Sequence, residues 1–108
     1  MGKAIHYDGQ AFDTALQQGG VLVVDFWASW CMPCRMLAPV VEQLAEHFEG
    51  RAAVGKVDVD EQPQLAARFG VQSIPTVILF KNGEAVSTLV GVRPFEDLAA
   101  AVDRIIGE

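Results

Sequence analysis

The apolar positions follow two different periods, and each period marks a kind of element. Val21-Leu22-Val23-Val24-Asp25-Phe26-Trp27-Ala28 is nearly all apolar and does not alternate, which is the pattern of a strand buried on both faces. Ala53 to Asp58 repeats it in shorter form, with Val54 and Val57 apolar. Leu37, Val40, Val41, Leu44, Ala45 and Phe48 recur at helical spacing and form one wide stripe. That stripe predicts a helix beginning near Cys34 and stopping at Gly50. Pro39 falls inside it, removes one backbone hydrogen bond and predicts a kink.

Shorter signals complete the order. Ala4 to Tyr7 is a strand candidate, Asp8 is a plausible N-cap for a helix carrying Phe12, Ala15 and Leu16, and Gly19-Gly20 stops that helix. Pro63 suits the first turn of a short helix with Leu65, Ala66 and Phe69 inward, ended by Gly70. Thr76 to Lys81 and Glu84 to Val90 are strands joined by Asn82-Gly83, a strong hairpin signal because both positions accept positive φ. Pro94 opens a last helix with Phe95, Leu98, Ala99, Val102, Ile105 and Ile106 inward. The order β-α-β-α-β-α-β-β-α predicts an α/β fold: a mixed five-stranded sheet, parallel strands plus a C-terminal antiparallel hairpin, flanked by four helices.

Composition narrows the function. A chain of 108 residues with 51% apolar content forms one domain, spanning residues 1–108, and needs no staples. Eight basic and 14 acidic side chains leave a net charge of −6, which argues against a nucleic-acid partner. No apolar run approaches the ~18 residues of a membrane span. The start, Met1-Gly2-Lys3-Ala4-Ile5-His6, has neither the apolar centre of a secretory signal nor a myristoylation pattern. These features predict a cytoplasmic protein.

The chemistry lies in Trp30-Cys31-Met32-Pro33-Cys34, which holds both cysteines and sits between the first long strand and the long helix. A bridge between residues three apart constrains little of the unfolded chain, so a structural role is poorly motivated. In a helix their Cβ atoms stand ~5–6 Å apart, and a small adjustment closes a disulfide. Pro33 loses no helical bond in the first turn. Unpaired N–H groups and the positive dipole end favour a thiolate at Cys31, the nucleophilic species in disulfide exchange. Other readings remain at this point. Zinc needs about four ligands, and only His6 and His47 are left as soft partners, without ligand spacing. A cluster shared by two chains and a pair of inert core thiols are the others.

The motif and four further segments resemble the thioredoxin family. They are Val24-Asp25-Phe26-Trp27-Ala28 running into Trp30-Cys31-Met32-Pro33-Cys34-Arg35-Met36-Leu37-Ala38-Pro39, then Lys56-Val57-Asp58-Val59-Asp60, Ile74-Pro75-Thr76, Phe80-Lys81-Asn82-Gly83 and Val90-Gly91, in family order over nearly the whole chain. One departure stands out: Met32 occupies the position where the family usually has glycine. It removes backbone freedom beside the nucleophile and adds a polarisable, oxidisable thioether.

The resemblance implies a thioredoxin fold and a protein-disulfide reductase. Cys31 is implied as nucleophile and Cys34 as resolving thiol. Asp25, the one charge in an apolar run, is implied as a buried proton acceptor behind Cys34; its plainer reading is a strand carboxylate paired with Lys56, and Lys56 tunes it in either case. Most X-Pro bonds are trans, yet the resemblance implies a cis Pro75 facing the dithiol, with the Ile74 backbone pairing with an extended substrate. Trp30, Met32, Pro33, Ile74, Pro75, Val90 and Gly91 are the expected contact surface around an exposed sulfur. Trp27 is assigned to packing, and Asp58, Asp60 and Glu61 to a solvated strand end. No bound cofactor is expected, since electrons come through a Cys31–Cys34 disulfide reopened by a separate thioredoxin reductase. The expected partners are disulfide-containing proteins, and the expected state is a monomer. The alternatives are a disulfide oxidase or isomerase, and a non-catalytic binding module on the same fold.

Overall fold

The computed structural model describes residues 3–108. Its elements are β1 (Ile5–His6), α1 (Gly9–Gln17), β2 (Val21–Trp27), α2 (Met32–His47), β3 (Ala53–Asp58), α3 (Pro63–Arg68), β4 (Thr76–Lys81), β5 (Glu84–Val90) and α4 (Phe95–Gly107). One five-stranded sheet has the order β1-β3-β2-β4-β5. The sequence pattern anticipated each element; β1 is shorter than expected, and α2 begins two residues before Cys34.

Parallel pairing joins β1 to β3 and β3 to β2, while β4 lies antiparallel to both β2 and β5. The antiparallel part therefore includes the β2–β4 boundary as well as the hairpin. The chain enters β4 at the end of the sheet where β3 leaves off. This brings the Ile74–Pro75 connection to the end of the sheet where β2 hands over to α2.

Alternation along β2 divides the core. Val21 and Val23 pack with Leu37, Val41, Leu44 and Phe48 of the α2 region and Leu98 and Val102 of α4. Leu22, Val24 and Phe26 face Phe12, Leu65, Ile78 and Phe80 on the other side. Asp25 shares the parity of Val21 and Val23, so it faces the α2 side.

Local chemistry fixes the boundaries. The Asp8 carboxylate accepts the Ala11 N–H at 2.8 Å and caps α1. Asn82 and Gly83 both take positive φ, 51° and 88°, as the tight hairpin requires. Gly55 is fixed by close approach: a Cβ there would strike the Tyr7 ring and stand 2.8 Å from the Ile5 carbonyl oxygen. That glycine seats β1 against β3.

Candidate active site

The site forms where β2 ends. Cys31 has extended backbone and serves as the N-cap of α2, with Pro33 in the first turn. Cys31 and Cys34 are joined by a disulfide. Cys31 Sγ accepts the backbone N–H of Cys34 at 3.2 Å and lies 3.8 Å from the carbonyl oxygen of Ile74. The first sulfur thus sits where a serine or aspartate cap oxygen ordinarily accepts an orphan N–H. A negative charge on it is favoured by the same donor and by the helix dipole.

The expectation of an exposed sulfur needs correction. Cys31 is 4% exposed and Cys34 2%, and both pack with Ala28 against Trp27, Val59 and Ile74. The Ile74 carbonyl approaches the Cys31 sulfur, and Cys34 lies on the inward side of a first turn of α2 whose Met32, Pro33 and Arg35 are at the surface. What is exposed is the rim: Trp30 at 69% and Met32 at 63%, with Pro33 and Val90 also at the surface.

The Ile74–Pro75 peptide is cis. Pro75 itself is buried and Ile74 half-buried, and the Pro75 carbonyl accepts the Gly91 N–H at 2.9 Å. Gly91 has φ 93°, a left-handed conformation that a side chain disfavours. Val90 is the residue opposite Thr76 in the β4–β5 ladder. Cys31, Ile74, Pro75 and Gly91 are therefore linked in sequence by contact across the end of the sheet.

Asp25 is 1% exposed, and neither carboxylate oxygen has a hydrogen-bond partner among the described residues. Burial pushes its pKa up to about 7, against a smaller opposing pull from Lys56. Lys56 is its register partner in the parallel β2–β3 pair and is also buried. The two make no close ion pair; the Lys56 Nζ lies 4.6 Å from the centre of the Trp27 ring instead. Trp27, assigned to packing, is half-buried, and its indole nitrogen has no hydrogen-bond partner among the described residues.

One contact was absent from the sequence reading. Asp60 is not an idle strand end: its Oδ2 accepts the Trp30 indole N–H at 2.8 Å. Asp58 Oδ1 in turn accepts the N–H groups of Asp60 and Glu61 at 2.9 and 3.3 Å. An Asp-x-Asp after a strand signals such an Asx-type turn, but nothing in the sequence pairs it with Trp30, 30 positions away. His6 and His47 are surface residues. Among the described residues, no group of three or more His, Cys, Asp or Glu is placed to hold a metal ion. No described helix is long and apolar enough to cross a membrane.

A helix-capping dithiol pair beside a cis-proline, on a mixed sheet with helices on both faces, defines a thiol–disulfide oxidoreductase. The family model described as Thioredoxin matches residues 3–104. The thioredoxin of Staphylococcus haemolyticus is 55% identical over 87 residues, 81% of this chain and 84% of that protein. The thioredoxin of Staphylococcus aureus is 52% identical over 93 residues, 86% of this chain and 88% of that protein. A solved structure of a mutant thioredoxin from Halobacterium salinarum superposes with a TM-score of 0.89 at 39% identity, covering 95% of this chain and 90% of that one. The chain belongs to the thioredoxin family. Its activity is that of the family: thiol–disulfide exchange with protein disulfides through a redox-active cysteine pair.

Proposed function

We propose that Cys31 is the attacking thiolate and Cys34 the resolving thiol in the reduction of protein disulfides. The reduced protein presents Cys31 as thiolate, which attacks one sulfur of the substrate disulfide and expels the other as thiolate. A mixed disulfide joins Cys31 to the substrate. Cys34 then loses its proton to Asp25 and attacks Cys31 Sγ, releasing the second substrate thiol. Two electrons have passed to the substrate, and the product is the Cys31–Cys34 disulfide. The observation that carries this assignment is the Cys34 N–H donated to Cys31 Sγ at the start of α2. It stabilises charge on the first sulfur, and among the described residues no such donor meets the second.

Asp25 suits its role because a carboxyl with a pKa of about 7 both takes and returns a proton near neutral pH. Lys56 keeps that value from rising further. Substrate backbone pairs with Ile74, beside cis-Pro75, with Trp30, Met32, Pro33, Val90 and Gly91 forming the surrounding face. The protein acts as a single-domain monomer in the cytoplasm, without a bound cofactor, and a separate thioredoxin reductase reopens its disulfide. The test is reduction of a disulfide-bonded reporter protein with dithiothreitol as donor, comparing the native chain with Cys31→Ser and Cys34→Ser. Cys34→Ser is expected to accumulate the mixed disulfide, and Cys31→Ser to form none. Trapping through Cys34 in the Cys31→Ser variant overturns the assignment.

A further inference from the structure

The methionines of α2 stand out against the cysteines they flank. Methionine favours apolar interiors, yet Met32 is 63% and Met36 61% exposed. They are four residues apart in α2, so their side chains lie on one face of the helix, about 5–6 Å apart at Cβ. Trp30, itself 69% exposed, precedes Met32 by two residues, and Met32 lies between the two cysteines in sequence. In the disulfide form the cysteine sulfurs are nearly covered and no free thiol is present. A solution oxidant that approaches the α2 end of this face therefore meets thioether sulfur first.

We propose that Met32 and Met36 form a peroxide-sensitive modification site whose sulfoxidation weakens docking of protein substrates. The inference rests on the docking role given above to Met32 and extends it to Met36, one turn further along α2. The reaction is balanced with a hydroperoxide as oxidant: the O–O bond breaks, a sulfur–oxygen bond forms, each thioether loses two electrons, and water or an alcohol leaves. Each sulfoxide replaces a flexible apolar group by a polar, chiral one. Two such groups on the exposed side of α2 convert part of an apolar contact face into one that holds water. The substrate's apolar side chains then lose contact area, while the cysteines remain intact for exchange. Reversal falls to enzymes that reduce methionine sulfoxide.

The experiment treats the disulfide form with hydrogen peroxide, removes the peroxide, and locates added oxygen by peptide mass mapping. The protein is then assayed with dithiothreitol on the reporter protein and on a small aromatic disulfide. One added oxygen at each of Met32 and Met36 is expected. KM for the reporter protein should rise about threefold to tenfold, with a smaller effect on the small disulfide. Methionine sulfoxide reductases should restore KM, and Met32→Leu combined with Met36→Leu should abolish the response to peroxide. Oxidation confined to other residues, or oxidation at both with unchanged KM, overturns the proposal. Failure of the untreated native chain to reduce the reporter at all would point to the underlying redox reading instead.

Discussion

Asp25 and Lys56 are register partners in adjacent parallel strands, both buried, and they do not close an ion pair. The carboxylate therefore carries most of its desolvation cost. Its folded pKa, about 7, stands above the ordinary carboxylate value of 3.8. Between these values the folded protein holds a proton that the unfolded chain has released, so stability falls as pH rises. The penalty is absent below about pH 4 and complete above about pH 7. Roughly three pKa units correspond to about 4 kcal/mol.

Asp25→Asn removes that penalty. Chemical denaturation at pH 8 should show the variant more stable by about 2–4 kcal/mol, and at pH 4 the gain should vanish. Turnover should move the other way, slowing across pH 6–9 as Cys34 loses its proton acceptor. A variant with native turnover and native stability at pH 8 would leave Asp25 without the role given to it.

Asp60 holds Trp30 by one hydrogen bond at an exposed position. Asp60→Ala should cost the fold little, about 1 kcal/mol or less, because the indole remains free to meet water. Its effect should appear in docking: KM for the reporter protein rises about twofold to fivefold. Acrylamide quenching of tryptophan emission should increase in parallel. Unchanged KM would limit the contact to a surface embellishment.

Gly55→Ala tests the edge of the sheet. The added methyl meets the Tyr7 ring and the Ile5 carbonyl, and backbone cannot yield as a flexible side chain does. A loss of about 1–3 kcal/mol is expected in urea denaturation. The disulfide site is built from β2, α2 and the β4 entry, so its alkylation chemistry should persist. Native stability would mean that β1 is free to shift away from β3.

Much of this architecture was legible in the sequence because its signals are local. The stripe from Leu37 to Phe48, the unbroken run from Val21, and Asn82-Gly83 each specify an element without knowledge of its neighbours. The cysteine motif was legible for the same reason: spacing, Pro33 and a strand-to-helix junction lie within a few residues. The rest depended on partners distant in sequence. The antiparallel placement of β4 against β2 was one such feature, since strand periodicity carries no direction. The cover over Cys31 comes from Ile74, 43 positions away. The Asp60–Trp30 bond is likewise a tertiary contact. Lys56 was associated with Asp25, but its position over the Trp27 ring depends on side-chain directions that register alone does not fix.

The central claim is that one sulfur, Cys31, is ionised and reactive while its neighbour waits. The direct measurement is the rate of iodoacetamide alkylation of the fully reduced protein from pH 5 to 10, with the modified residue identified by mass mapping. The expected result is early, selective labelling of Cys31, with an apparent pKa below the ~8.5 of a free thiol. Two sulfurs that label together, Cys34 labelling first, or no labelling at pH 8 would contradict it.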